Sequence, residues 1–245
     1  MEVMFPDTPE YRFILRGLCD NVFPAYPKFQ CDSFDSREYN VESDIAFLPA
    51  PLAVVMMDRY LVLNAGAVFS YFSGPILINS NEKYTELYIR KDDFYSRHYA
   101  RIFLGDVILK EGEEGYPAIL EPRLAIISGP FPYPKVDLYS KWSAFAGSLP
   151  LPLYCGIIKK DLREAKEIVE EAIGASVRYA LSNSDTLIKD IAHLHGVKNV
   201  DILKRAILNF VNRNSLSMAP EELEALGILK KEMLNRNIKI EDLLL

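Results

Sequence analysis

After Asp161 the apolar residues recur at a spacing that only a helix can bury on one side. In DLREAKEIVEEAIGASVRYALSNSD, Leu162, Ala165, Ile168, Val169, Ala172, Ile173, Val177, Ala180 and Leu181 share a face. DTLIKDIAHLHG follows, with Asp185 expected as its N-cap and Gly196 as its stop. DILKRAILNFVNRN puts Leu203, Ala206, Ile207, Phe210 and Val211 on one face, and APEELEALGILKKEML opens with Pro220 in its first turn. The last third of the chain is therefore read as helical.

The first two thirds read differently. Short β-rich runs alternate with turns and short helices: EVMF, Ile45 to Leu48, YLVLNAGAVFS, GPILINSN, Tyr84 to Arg90, DVILKEGEEG, RLAIIS and LYCGII. EYRFILRGLCDN reads as a helix after the turn-former PDTP. This order indicates an α/β fold with largely parallel sheets. A dinucleotide-binding domain is the weaker option, because no glycine-rich fingerprint follows a strand.

Charge and length narrow the function. The formal net charge of -6 over 245 residues argues against nucleic acid as a partner, because phosphate binding needs a basic surface. No apolar run approaches the length of a bilayer span. The start, MEVMFPDTPEYRF, has neither a basic leader nor an apolar core, so no secretion signal is expected and the location is read as cytoplasmic. Cys19, Cys31 and Cys155 form no C-x-x-C pair and read as reduced thiols rather than as a disulfide or zinc framework. No metal or cofactor is expected. His193 and His195 point to different faces of a helix and make a poor metal pair; they suit the carbonyl end of that helix.

RLAIISGPFPYP reads as a strand ending on Ser128, in a loop stiffened by Gly129 and Pro130. That is the form of a binding-site rim.

Four further segments carry a resemblance. LPLPLYCGIIKKDL (Leu149 to Leu162), SVRYALSN (Ser176 to Asn183), FVNRNSL (Phe210 to Leu216) and DRYLVLNAGAVFSYFSGPILI (Asp58 to Ile78) stand in order over nearly the whole chain. Together they resemble the 1,4-dihydroxy-6-naphthoate synthase and chorismate dehydratase family of the futalosine route to menaquinone. The resemblance implies an α/β, two-lobed type II periplasmic-binding-protein-like fold, its lobes joined by two crossing strands. Residues 1–76 and 159–245 would form lobe one and 77–158 lobe two, with crossings near Ser73-Gly74-Pro75 and Leu149 to Pro152.

The same resemblance directs attention to the cleft. Pro6-Asp7-Thr8-Pro9 matches a cleft-facing loop, with Thr8 where the family has cysteine; the plain alternative is a turn. Ser96 and Arg97 open a helix after RKDDFY and would offer donors to a carboxylate, or Ser96 simply caps that helix. Ser70, Tyr71 and Phe72 replace a glycine-rich turn and either stack on a ligand or fill core. Tyr154 replaces a small glycine and would project into the cleft, while Trp142 packs. Ser128 stands where the resemblance puts a histidine acting as general base, and IAFLPAP lacks the family's lysine. A lone serine hydroxyl cannot replace such a base, and His98 is the one histidine expected near the cleft. The sequence therefore points to a small-molecule clamp with ligand-binding residues Thr8, Ser70, Tyr71, Ser96, Arg97, Ser128 and Tyr154. Its partner would be a small organic acid, without nucleic acid or membrane. The alternative is a lyase-type enzyme of quinone or aromatic-acid metabolism whose catalytic site has been rearranged, with His98 as a candidate base.

Overall fold

The β-rich segments assemble into two separate sheets in a computed structural model, which describes residues 1–34, 42–79, 85–112, 115–131 and 133–236. The first sheet contains β1 (Glu2–Pro6), β2 (Gln30–Phe34), β3 (Ile45–Pro49), β4 (Tyr60–Val62), β5 (Val68–Ser70) and β11 (Leu151–Lys159). Its order is β2-β1-β3-β11-β4, with β5 also on β11. The second sheet contains β6 (Ile76–Ile78), β7 (Glu86–Ile89), β8 (Ile108–Glu111), β9 (Ala118–Leu120) and β10 (Lys135–Asp137), in the order β10-β6-β9-β7-β8. The chain leaves the first sheet after β5, runs through Ser73-Gly74-Pro75 into β6, and returns through β11. Tyr84, the expected start of β7, lies outside the described residues.

Both sheets are mixed rather than largely parallel. β1 is parallel to β2 and β3, and β7 to β8 and β9. β11 runs antiparallel to β3, β4 and β5, and β6 antiparallel to β9 and β10. The antiparallel partners are the strands that enter and leave the second sheet.

Helices cover the sheets. α1 (Pro9–Ile14), α2 (Arg16–Cys19), α3 (Ala50–Val55) and the C-terminal set α7 (Lys166–Ser182), α8 (Ser184–Leu194), α9 (Val200–Phe210), α10 (Arg213–Leu216) and α11 (Pro220–Asn235) surround the first sheet. α4 (Ser96–Leu104), α5 (Pro122–Ser128) and α6 (Tyr139–Ala146) belong to the excursion between β5 and β11. The helical third forms, but α7 starts at Lys166, after a 3-10 turn that holds Leu162 and Ala165; Val169, Ala172, Ile173, Val177 and Ala180 are its buried members of the expected face. Pro220 opens α11, and Gly196 follows α8 with a positive φ of 63°. Asp185 lies inside the first turn of α8 rather than at its cap, which is Asn183, and pairs with Lys204 at 2.6 Å.

The main core lies under the first sheet and takes in Tyr95, Tyr99 and Trp142 from the excursion. Close packing at its centre depends on two glycines. A Cβ on Gly66 or Gly156 would sit 2.5 or 2.8 Å from the Phe47 ring. The second sheet has a smaller core on each face: Leu77, Leu87, Ile89 and Ile119 on one, Ile78, Leu120 and Leu124 on the other.

Two further expectations are overturned. Arg123 to Ser128 is not a strand but most of α5, because β9 has already ended at Leu120 and Pro122 occupies the first helical turn. Cys19 and Cys31 are not free thiols but a disulfide joining the end of α2 to β2; Cys155 alone is free, and buried.

Candidate functional site

Three strands, β1 of the first sheet and β7 and β9 of the second, end on the same region. β1 leads into Asp7, Thr8 and α1; β7 leads into Arg90, Asp92 and Asp93; β9 leads into Glu121 and α5. Ligand sites in α/β sheets gather beyond such carboxyl ends. Here the innermost space is filled by the protein itself. The Tyr154 ring, projecting from β11, stands edge-on to Tyr11 and Tyr95 with centroids 5.4 Å from each. Its hydroxyl donates to Glu121 Oε2 at 3.2 Å.

A buried charge cluster lies beside these rings. The Arg123 guanidinium is paired with Glu121 and sits 3.4 Å from Glu10 Oε2, so it joins α5 to α1. Asp93 accepts the backbone N–H of Ser96 at 2.8 Å and that of Glu121 at 2.7 Å. Burial opposes the Arg123 charge, but Glu121 and Glu10 more than offset it and hold the guanidinium ionised. Burial pushes Glu10 and Glu121 up, against the pull of Arg123, and pushes Asp93 up to about 6 against its backbone hydrogen bonds. One guanidinium cannot balance these three carboxyls, so the cluster retains protons into the range where carboxyls are ordinarily ionised.

Outside the cluster a cleft of about 390 Å³ remains open. One wall is Arg90, Arg123 and Ser128, carried by the second sheet; the other is the α8–α9 turn with His195, Lys198 and Asn199. Arg90 donates twice to Asp92, each at 2.8 Å, and once to Ser128 Oγ at 3.0 Å. His195 Nε2 is buried with no hydrogen-bond partner among the described residues, and burial lowers that ring's affinity for a proton. The Asn199 side chain caps α9 by accepting the Ile202 N–H at 3.0 Å. The cleft therefore offers three cations, one lining carboxylate in Asp92 and polar hydrogen-bonding groups around an open volume, a balance that suits a small anion.

Of the residues expected from the sequence to bind ligand, Ser128 lines this cleft. Thr8 is buried as the α1 N-cap and accepts the Tyr11 N–H at 3.4 Å. Ser96 is buried at the start of α4, and the N–H it was expected to offer a ligand is taken by Asp93. Arg97 is paired with Glu111 at 2.9 Å. Ser70 is buried and accepts the Ser73 N–H at 3.1 Å. Tyr71 bonds Glu222, while Phe72 stacks on Phe210 at 6.3 Å. Tyr154 fills the central space. His98 is buried in α4, and burial with help from Arg97 pushes its pKa down to about 3, so it accepts a proton poorly at neutral pH. The histidine on the cleft is His195.

The sequence reading missed Glu10, Arg90, Glu121, Arg123, His195 and Lys198. One signal was present. Glu121-Pro122-Arg123 sets two charges around a proline inside an apolar stretch, which marks a helix start with charges turned toward the preceding strand's end.

Solved structures share the fold. Protein AF1704 from Archaeoglobus fulgidus is 20% identical with a TM-score of 0.82, covering 97% of each chain. The alkanesulfonate-binding protein SsuA from Xanthomonas axonopodis pv. citri, bound to MOPS, is 11% identical with a TM-score of 0.56, over 97% of this chain and 93% of that one. A Candida albicans gene product described as having the generic periplasmic-binding-protein fold is 12% identical, with a TM-score of 0.53 over 96% and 94%. Two sheets with crossing strands and these neighbours define a two-lobed, periplasmic-binding-protein-like α/β protein. The sequence profile for menaquinone biosynthesis matches residues 37–233, and the chain belongs to that family. A comparison with curated proteins gives no match. Among the described residues no helix is long and apolar enough to cross a membrane, and no cluster of His, Cys, Asp and Glu is arranged to hold a metal.

Proposed function

We propose that this protein binds a small organic anion, a carboxylate in the first instance, in the cleft between its lobes. The observation that carries this reading is the cleft's lining: Arg90, Arg123 and Lys198 outnumber the one lining carboxylate, Asp92, which pairs Arg90, and they stand around about 390 Å³ with Ser128 and a His195 Nε2 that has no hydrogen-bond partner among the described residues. The lobes in this reading are residues 1–76 with 159–245, and 77–158. β11 then acts as a crossing strand, since it pairs with the first sheet throughout its length.

Thermal denaturation with a panel of mono- and dicarboxylates tests the proposal, because a ligand that binds the native state raises the midpoint. At least one carboxylate is expected to do so, and Lys198→Ala to weaken it about tenfold, equivalent to about 1.4 kcal/mol. A panel without any shift, repeated by calorimetry, overturns the reading.

A lyase-type enzyme is the second reading. It is favoured by the family's place in menaquinone biosynthesis and by carboxyls such as Asp93 that keep a proton well above the ordinary range. We expect purified protein to form no naphthoate product from the cyclic futalosine substrate, since His98 is a poor base. Product formation would establish the enzyme. A cytoplasmic location belongs to both readings and sits against the Cys19–Cys31 disulfide, because a reducing compartment favours the two thiols; thiol labelling of freshly lysed cells reads which form is present.

A further inference from the structure

A second cavity, of about 200 Å³, lies on the α5 side of the second sheet. Its floor is Ala118, and its walls include the rings of Tyr88, Tyr116 and Phe131. Two features make this space. Ala118 leaves the strand surface low between larger neighbours. Gly115 lies directly on the Tyr88 ring, where an added Cβ would come within 2.3 Å of it. The outer ring is held as well: Tyr116 packs edge-on against Tyr133 with centroids 4.8 Å apart.

The charged groups at these rings are Arg90, paired with Asp92, and Lys135 just outside the lining. Arg90 closes one end, its guanidinium fixed by Asp92 and Ser128. Those contacts use three of its five N–H donors among the described residues. Lys135 Nζ stands 4.8 Å over the Phe131 ring, beside the pocket. Aromatic walls favour a flat ring, and the two cations favour negative charge on it. The volume is below the roughly 300–1,000 Å³ of drug-sized pockets, which limits the occupant to a small one.

We propose that this pocket is a second binding site, distinct from the cleft, for a small aryl anion: one aromatic ring carrying a single carboxylate or phenolate. The ring lies among Tyr88, Tyr116 and Phe131, and its charge faces Arg90. Arg90 and Ser128 line both cavities, so they form the partition between them.

The test uses the full chain with benzoate as probe, followed by calorimetry and by saturation transfer from protein to ligand. Cyclohexanecarboxylate serves as a ligand of equal charge without a π face. Saturable benzoate binding is expected, at least fivefold tighter than cyclohexanecarboxylate. Tyr116→Ala and Phe131→Ala are each expected to weaken it fivefold or more. Lys198→Ala, which alters only the cleft, is expected to leave it unchanged. Tyr116 is 38% exposed, so its removal spares the core, and Phe131→Ala gives an independent reading if Tyr116→Ala misfolds. Three results overturn the site: no saturation by benzoate, equal binding of the two acids, or loss in Lys198→Ala with retention in both aromatic variants. The last places benzoate in the cleft, and would support the cleft while removing the second site.

Discussion

Asp93 binds two backbone N–H groups, one at the start of α4 and one at the start of α5, and so ties two of the three helices of the excursion together. Its carboxyl titrates at about 6 in the folded chain against 3.8 in its ordinary state, burial being the cause. Between those values the folded state holds more protons than the unfolded one, so this residue's contribution falls as pH rises through the window. The full change is about 3 kcal/mol, and Glu10 and Glu121, also raised, act in the same direction. Asp93→Asn offers one acceptor to two donors and is expected to lose about 1–3 kcal/mol at pH 5. The deficit should shrink by pH 7.5, because only the parent chain ionises there. Urea unfolding at the two pH values measures this, and a deficit independent of pH would refute it. Arg123 has the opposite role, as the cation that makes the buried acids tolerable. Arg123→Met is expected to cost about 3–5 kcal/mol near neutrality. Adding Glu121→Gln should restore part of the loss, since it removes one of the charges left uncompensated. A double variant no more stable than the single one would show that packing, not charge, sets the cost.

At the scale of elements, α5 and the disulfide mark where the sequence stopped being readable. The long amphipathic helices α7 and α9 were legible because nine and five apolar positions agree on one period. The strands β1, β3, β6, β7 and β11 were legible because turn-formers bound short β-rich runs. LAII in α5 is too short for periodicity to separate strand from helix, and the decision falls to Pro122 in the first helical turn. The candidate site was poorly legible for the same reason. Ser128 was found, but Arg90, Arg123 and Lys198 meet only once β7, α5 and the α8–α9 turn are placed in space. The Cys19–Cys31 bond likewise depends on β2 lying parallel to β1, which brings a residue 12 positions away beside α2. Closing a loop of that size stabilises a chain by about 3 kcal/mol in the loop-entropy account. The paired variant Cys19→Ser with Cys31→Ser is therefore expected to unfold about 3 kcal/mol more easily, and reductant to lower the parent's midpoint to match. A reductant-insensitive midpoint would show the bond to be unformed or idle in solution.

For the whole molecule, the question is what keeps the two sheets' lobes together without a ligand. Several contacts join the elements of the two sheets, Tyr95 against Tyr154 and Phe34 against Phe94 among them, and three others differ in kind. Tyr99 of α4 donates its hydroxyl to the Pro152 carbonyl of β11, α5 packs on α9, and Glu10 of α1 reaches Arg123 of α5. The first two lie beside apolar packing that would survive small changes of angle. The third is a buried ion pair, and removing one partner leaves a desolvated charge that rewards any opening that lets water in. Glu121 still pairs with Arg123 in Glu10→Ala, so the expected loss of stability is moderate, about 1–3 kcal/mol. The shape should respond more than the stability. In small-angle scattering without ligand, Glu10→Ala should show a larger radius of gyration than the parent chain. A carboxylate that occupies the cleft should bring the two values together, by supplying Arg90, Arg123 and Lys198 with a shared partner. Equal radii in the absence of ligand would mean that the apolar contacts of α4 and α5 alone hold the lobes closed, and that ligand enters a preformed cleft rather than a hinge.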